Sequence, residues 1–268
     1  MSGARGFTLV EAIVVVAVTA IVAAMLALFI RVPLQGYLDA TRRAELTDAA
    51  DTALRRLARD LRLALPNSVR VSTAGGRTYL EFLQTSGGGR YRAEVDSGGS
   101  GDILDFTAPD GSFDVLGPPV TLTPGEQNRI AVFNLGVPGS DAYAGDNTTP
   151  ALSSAGVTLN AIQIAPLRFP YASPARRFQI VATPVTYECD PAAGTLRRYW
   201  NYAIAPAQPS PPAGASSALL ATRVSACAVT YDAAVVAQRA GLVTLRLTLA
   251  QLDESVTLYH AVHVVNVP

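Results

Sequence analysis

Few side chains in this sequence could carry out chemistry, and their spacing argues against catalysis. The chain has 268 residues, all 21 of its basic residues are Arg, and it contains two His and two Cys. Because there is no Lys, a Schiff-base lysine and a phosphate-loop lysine are both excluded. His260 and His263 lie in one strand pattern at an odd spacing, which places their side chains on opposite faces of a sheet. We therefore expect no catalytic residue and no cofactor, and a chain that is not an enzyme.

The candidates for a metal site are weak. Cys189 and Cys227 have no His or carboxylate partner at ligand spacing, and in an oxidising compartment two such thiols favour a disulfide. Asp141, Asp146 and Asn147 gather oxygen atoms on one loop and form a weak calcium candidate. These residue types also favour turns without any metal, so calcium is the minority interpretation.

The densest group of aromatic residues is Tyr199, Trp200 and Tyr202. If exposed, this group could stack on a sugar or dock a partner subunit. In a strand, Trp200 and Tyr202 would share one face, and burial in the core is the commoner outcome for such a pair.

The composition describes a folded protein without a nucleic-acid surface. Hydrophobic residues make up 49% of the chain and charged residues 16%, which excludes a disordered tail protein. The formal net charge is zero, so there is no basic excess of the kind that nucleic-acid binding requires. The length suits one large domain or two small ones.

Residues Ala12–Ile30 form an apolar run without a single charge. At about 1.5 Å per residue, a helix of this length nearly covers the ~30 Å hydrocarbon core of a bilayer. A removable secretory signal is one simple interpretation, but the run is long and no small-residue cleavage site follows it. An ordinary membrane anchor is another, but it does not explain Glu11, because a carboxylate entering hydrocarbon costs about 2.5–3.5 kcal/mol.

The residues Gly6-Phe7-Thr8-Leu9-Val10-Glu11 lead directly into the apolar run. A strict count of flanking arginines would place the C-terminal part in the cytoplasm, but these residues carry a more specific pattern. They resemble the class III leader of type IV pilins and of the pseudopilins of type II secretion. The resemblance implies cleavage between Gly6 and Phe7, N-methylation of Phe7, and docking of Glu11 onto a neighbouring subunit. An amine and a carboxylate are both costly in lipid, and each can neutralise the other across two subunits.

Beyond the apolar run, the pattern predicts an amphipathic second half of the same helix. Pro33 is expected to kink the helix just beyond the span, and Pro66 is expected to stop it. Apolar residues at spacings of three and four form one stripe: Leu46, Ala50, Leu54, Leu57, Leu61 and Leu65. Three pairs of opposite charge at i,i+4 are expected to lie exposed: Asp39 with Arg43, Asp51 with Arg55, and Arg56 with Asp60.

After Pro66 the sequence changes to short runs separated by Gly-rich turns, which are typical of antiparallel strands. The clearest two runs, Val243–Leu249 and Val256–Val264, alternate with period two around a turn at Gln251–Glu254. The loop Pro206–Gly214 has strands on both sides and marks no domain boundary. Further strands are predicted at Val69–Ser72, Tyr79–Leu83, Ile103–Phe106, Arg129–Leu135, Phe178–Tyr187 and Leu196–Ile204.

These patterns predict an α+β fold, and the resemblance implies that it is of the type IV pilin kind. A long N-terminal helix, with a transmembrane half and an amphipathic half, packs on an antiparallel β-sheet. The expected division is a cleaved leader at residues 1–6, the long helix at 7–66 with its transmembrane segment at 12–30, and a β-rich periplasmic domain at 67–268.

Four further stretches are similar to a minor pilin of mannose-sensitive haemagglutinin (MSHA) pili: Gln35–Val71, Phe113–Gly117, Asp141–Asn147 and Arg168–Ile180. The similarity implies a subunit of the bacterial inner membrane, with its ectodomain in the periplasm, that primes pilus assembly at or near the fibre tip. The partners it implies are a prepilin peptidase, other minor pilins, the major pilin, the inner-membrane assembly platform and the lipid bilayer.

Two alternatives remain open. One is the larger J-type minor pseudopilin of type II secretion, with which Glu11 is equally compatible. The other is a tip adhesin that binds a surface glycan, which an exposed Trp200 and Tyr202 would favour and a buried pair would disfavour.

Overall fold

The computed structural model describes residues 6–152, 156, 158–236 and 240–268. One long helix is followed by antiparallel strands, so the predicted α+β class is confirmed. The elements in chain order are α1 Leu9–Leu61, β1 Arg70–Ala74, β2 Arg77–Tyr91, β3 Asp110–Leu116, β4 Val120–Thr121, β5 Arg129–Ala131, β6 Thr158–Leu159, β7 Ala161–Leu167, β8 Arg177–Asp190, β9 Thr195–Trp200, β10 Ser216–Thr222, β11 Val224–Val236, β12 Ala240–Gln251 and β13 Glu254–Val265.

Helix α1 ends at Leu61, earlier than the stop expected at Pro66. The residues that follow pair with the edge of β2 instead of continuing the helix, since Leu65 donates its N–H to the carbonyl of Leu83 at 2.7 Å. At its other proline the helix is continuous, with Pro33 inside it. A kink at Pro33 stays a prediction.

The amphipathic half of α1 is buried along the predicted stripe. It packs mainly on β12 and β13, with smaller contacts to β10 and β2. Ala53 and Ala58 widen the stripe. Its predicted members are all buried: Leu46, Ala50, Leu54, Leu57, Leu61 and, just beyond the helix, Leu65.

On the exposed face of α1, one predicted ion pair forms, and one predicted member of another pair has a different partner. Arg55 contacts Asp51 at 2.6 Å, as predicted. Arg43 does not pair with Asp39, and instead contacts Glu254 at the start of β13 at 2.8 Å. The correction follows from tertiary packing, because β13 begins beside this turn of the helix and offers a half-buried carboxylate.

The strands form two sheets and one short pair. The large antiparallel sheet has the order β10-β9-β8-β2-β3-β7, with β1 also paired to β2 and β5 to β8. The smaller sheet has the order β11-β12-β13, and β4 pairs with β6. Strands β12 and β13 pair without a register shift from Ala240 opposite Val265 to Gln251 opposite Glu254, which confirms the predicted alternating hairpin.

One predicted strand is wrong. Residues Ile103–Phe106 are irregular, because the carboxylate of Asp105 turns the chain. Asp105 accepts hydrogen bonds from the N–H and the hydroxyl of Thr107, both at 2.7 Å. Such a local side-chain to backbone bond competes with a strand ladder.

Two other predicted strands are shorter than expected. Of the run Arg129–Leu135, β5 includes Arg129–Ala131 alone, and Phe133 has a left-handed φ of 50°. Of the run Leu196–Ile204, β9 ends at Trp200 because Asn201 has a φ of 58°. A positive φ cannot continue an extended strand, so each ladder stops there.

The two sheets share one hydrophobic core with α1. Side chains from β2 and β8 meet the helix stripe and the inner faces of β12 and β13. A second core lies between β3, β5, β7 and β8 and is rich in aromatic and branched side chains, including Phe113, Ile162, Phe178 and Ile180.

A disulfide joins the two sheets. Cys189 of β8 is bonded to Cys227 of β11, with 6.5 Å between their Cα atoms. The predicted disulfide is therefore confirmed. It closes 38 residues of sequence and fastens the small sheet to the large one.

We predict that Leu57→Ala lowers the free energy of unfolding by about 2–5 kcal/mol, because it leaves a cavity where both sheets meet the helix. Urea unfolding of the full chain in detergent, followed by near-ultraviolet circular dichroism, measures the change. The matched control is Leu63→Ala, since Leu63 is half exposed just beyond the helix. Equal effects of the two substitutions would contradict the packing described here.

Candidate functional site at the amino-terminal helix

The residues that resemble a leader junction sit at the first turn of α1. Gly6 and Phe7 precede the helix, and Thr8 is its N-cap. Thr8 Oγ1 accepts a hydrogen bond from the N–H of Glu11 at 3.3 Å, which satisfies one of the free donors at the helix start. Glu11 lies in the first turn, where a negative charge is favoured by the helix dipole.

Nothing in the part of the chain that the structure describes requires a glycine at position 6. A Cβ added to Gly6 would meet no atom within 4 Å. The predicted cleavage between Gly6 and Phe7 therefore lies at an open, non-helical position. The rest of the predicted leader, residues 1–5, lies outside the described residues.

The first half of α1 exposes its apolar side chains. In the described part of the chain, α1 is the one helix long and apolar enough to cross a membrane, with a mean hydropathy of 3.1 in its best window and none of that window buried. Exposure of this surface to water is unfavourable, because burying one Val, Leu or Ile side chain stabilises a protein by about 1.5–3 kcal/mol relative to leaving it exposed. A helix of this kind requires lipid or other apolar helices around it.

The amino-terminal segment is also the part of the chain that matches a known family. Residues 1–27 match the family model described as the prokaryotic N-terminal methylation motif. This motif indicates a type IV pilin or pseudopilin. No curated protein and no solved structure matches the chain. For a pilin-like chain, the motif implies processing by a prepilin peptidase and assembly with other pilins, and it suggests a structural subunit.

The two carboxylates of the loop Asp141–Asn147 accept hydrogen bonds from the backbone of the same loop region. Asp146 Oδ2 accepts from the backbone N–H of Gly139 at 2.9 Å and of Asp141 at 3.3 Å. Asp141 Oδ1 accepts from the N–H of Tyr143 at 2.9 Å. Among the described residues, no group of three or more His, Cys, Asp or Glu could hold a metal ion. These bonds account for the acidic residues as turn formers.

The aromatic residues of the predicted cluster are separated and mostly covered. Tyr202 is buried beyond the end of β9, where its hydroxyl donates to Glu81 at 3.0 Å, and Trp200 is half-buried against the main core. The hydroxyl of Tyr199 donates to Glu188 at 2.6 Å. Burial and this bond raise the pKa of Tyr199 to about 12. The expectation that Trp200 and Tyr202 share a strand face is wrong, and their burial counts against a sugar platform.

The two histidines lie on opposite faces of β13, as predicted. His260 points with the inner, half-buried set of residues, and His263 points outward. They cannot act jointly on one ligand.

Sequence reasoning missed a buried carboxylate beneath the loop that follows β9. Glu81 is fully buried and contacts Arg70 at 2.7 Å. Arg70 also donates to the carbonyls of Ala205 and Pro206 at 3.0 and 2.7 Å. The guanidinium stacks 3.6 Å from the ring centre of Tyr143. This cluster fastens the loop to the sheet, and it offers no open site for a substrate.

Asp60 forms a second buried cluster, between the helix and the large sheet. Arg56 pairs with Asp60 at 4.0 Å, as predicted, but the expectation that this pair lies exposed is wrong for Asp60, which is buried. Asp60 Oδ2 also accepts from Arg198 at 2.7 Å and from the hydroxyl of Tyr187 at 2.8 Å. Burial raises the pKa of Tyr187, so its phenol remains a donor to the carboxylate.

We predict an unusual pH dependence from Glu81. Burial raises the pKa of Glu81 above its ordinary 4.5, against the opposing effect of Arg70. The folded state thus holds this proton more tightly than the unfolded state does. The stabilisation that this difference in pKa adds to the free energy of unfolding is complete below pH 4.5. It is lost as the pH rises through the raised pKa of Glu81 in the folded state. Relative to Glu81→Gln, the native chain should gain stability on mild acidification, which urea midpoints at neutral and acidic pH will measure.

The matched control is Glu45→Gln on the exposed face of α1. It should leave the pH dependence of the urea midpoint as in the native chain. If Glu81→Gln does the same, the buried carboxylate does not behave as its surroundings require.

Proposed function

We propose that this chain is a minor pilin of an MSHA-type type IV pilus, most like the biogenesis protein MshO, and that it primes pilus assembly at or near the fibre tip. The observation that carries the proposal is that an N-terminal methylation motif leads directly into a helix whose first half is apolar and exposed. The same helix then carries a large folded domain on its second half.

The proposed location is the bacterial inner membrane, with a single span at residues 12–30. The folded β domain, residues 67–268, then lies in the periplasm. The Cys189–Cys227 disulfide supports an oxidising compartment for this domain. A prepilin peptidase would cut between Gly6 and Phe7, and Phe7 would become the methylated first residue.

The size of the β domain supports a minor rather than a major subunit. It projects from the helix with two sheets and long connecting loops. A shaft packed laterally on α1 has little room for such a domain in every subunit, so low copy number near the tip follows. The proposed partners are other minor pilins, the major pilin and the inner-membrane assembly platform.

The glycan-binding tip adhesin loses its main support. That alternative needed an exposed aromatic pair, whereas Tyr202 is buried and Trp200 is half-buried. The J-type pseudopilin of type II secretion shares the amino-terminal features, and an experiment on the cell must separate it from the pilus subunit.

We predict that Gly6→Ala blocks removal of the leader while leaving the fold intact. A Cβ at position 6 meets no atom of the described residues within 4 Å, so we attribute the expected effect to recognition by the processing enzyme. Mass spectrometry of the protein purified from the membrane reports whether residues 1–6 remain. Gly36→Ala is the matched control, because that glycine is also free of neighbours within 4 Å and lies inside α1. Normal cleavage of the Gly6→Ala chain would refute the proposed junction.

We predict that deleting the gene removes most surface pili, and that Glu11→Ala fails to restore them. The alanine chain should insert and be cleaved normally, but its amount in sheared fibres should fall by about tenfold, as expected for a loss of about 1.4 kcal/mol in docking. Electron microscopy counts the pili, and immunoblotting of sheared fibres measures incorporation.

Glu45→Ala is the control for this experiment, since Glu45 is an exposed acid of the same helix outside the span. Normal incorporation of the Glu11→Ala chain would refute its docking role. Pili that are intact while protein export fails would assign the chain to type II secretion. Amounts in fibres close to those of the major pilin would refute the minor role.

A further inference from the structure

A groove of about 610 Å³ lies on the large sheet, far along the chain from the amino-terminal motif. Its floor is the strand segment Ser86–Arg90 of β2, and its wall is the segment Leu116–Thr121 between β3 and β4. We call it the glycine groove, because three consecutive glycines, residues 87–89, form most of the floor.

The floor of the glycine groove is an open strand edge. On one side, β2 pairs with β8 from Thr78 to Arg90. On the other side, β1 covers β2 as far as Glu81, the chain after α1 covers Leu83 to Thr85, and β3 covers Arg90 and Tyr91. On this second side of β2, no strand in the described part of the chain pairs with Ser86–Gly89. The open window spans about 13 Å, enough for four residues of an added strand.

Packing requires glycine at two positions of the floor but not at the third. A Cβ on Gly88 would lie 2.5 Å from the carbonyl oxygen of Phe178, and a Cβ on Gly89 would lie 2.9 Å from the Phe178 ring. Packing against β8 therefore requires both. A Cβ on Gly87 would meet only Ile180, at an ordinary 3.9 Å. Glycine inside a strand costs about 0.5–1 kcal/mol, and where packing does not require it, it marks a place where another backbone comes close.

Two arginines near the end of the open window have no carboxylate partner among the described residues: Arg90 lines the groove, and Arg177 of β8 faces Arg90 across the other, paired edge of β2. Arg90 of β2 lies directly opposite Arg177 of β8, and both are exposed. In the described part of the chain neither makes an ion pair or a side-chain hydrogen bond, in contrast to Arg92 and Arg176 nearby, which contact Asp96 and Glu94 at 2.6 Å. Like charges directly opposite each other destabilise an antiparallel pair, and a bound anion between them would reverse that cost.

From these observations we propose that the glycine groove binds an extended, acidic segment of a partner protein by strand addition. The segment pairs its backbone with Ser86–Gly89, passes close over Gly87, and places a carboxylate on Arg90 and Arg177. Backbone pairing supplies affinity and the arginine pair supplies the preference for acid. The inference is independent of the pilin assignment.

The test is a selection of random peptides displayed on phage against the full chain in detergent. Enriched sequences should carry Asp or Glu within an extended segment. A synthetic copy of the leading peptide should bind the native chain, and Arg90→Glu or Arg177→Glu should weaken binding by about ten- to a hundredfold, the effect of one charged hydrogen bond. Methylating alternate backbone nitrogens of the peptide should abolish binding, since it removes the donors that strand addition needs.

Two further variants separate the groove from general charge effects. Gly87→Val fills the floor without changing charge and should also weaken binding. Arg59→Glu, on the exposed face of α1, should not. Enrichment without acidic residues, binding indifferent to Arg90→Glu, or no enrichment above background would overturn the proposal. Binding of heparin that depends on Arg90, with no peptide enriched, would overturn it in favour of an acidic glycan.

Discussion

The buried stripe on the second half of α1 is the constraint on which the rest of the molecule depends. Both sheets pack on that stripe, so the helix fixes where the β domain sits along its length. Strand β13 runs beside it between two polar contacts. Arg43 holds Glu254 near one end at 2.8 Å, and Asn67 donates to the carbonyl of Asn266 near the other at 3.2 Å. Because an α-helix rises about 1.5 Å per residue, the domain is held at a set distance from the apolar half.

The two halves of α1 are built for different surroundings. The second half has one apolar face, which is buried, and one polar face, whereas the first half exposes hydrophobic side chains all round. The hydroxyl of Thr19 donates to the carbonyl of Val15 at 2.7 Å, so the helix satisfies this group itself. Among the described residues, the carboxylate of Glu11 has no hydrogen-bond partner, which is consistent with the docking onto a neighbouring subunit proposed above.

Sequence reasoning succeeded where one period dominated. The helix stripe from Leu46 to Leu61 and the alternating β12–β13 hairpin were both predictable, since each buries a single face. The small residues of β11 gave no such signal, β3 is short and partly polar, and β7 contains Pro166, which argues against a strand. The shortened strands β5 and β9 end where Phe133 and Asn201 adopt positive φ, which residue type alone does not reveal.

The buried charges of the candidate regions were harder to predict for a related reason. In the sequence, nothing beside Glu81 or Asp60 distinguishes these residues from exposed acids. Their partners Arg70 and Arg198 are brought to them only by the packing of the large sheet. Once these partners are in place, Asp60 fastens α1 to the large sheet, and the Glu81–Arg70 pair fastens the loop after β9 to the same sheet. The interior therefore uses its charges for structure, whereas Arg90, at the end of an open strand edge, and Arg177, opposite it on β8, are left on the surface. The proposed recognition surface therefore lies on the β domain, whereas the proposed membrane insertion and subunit packing involve the apolar half of α1.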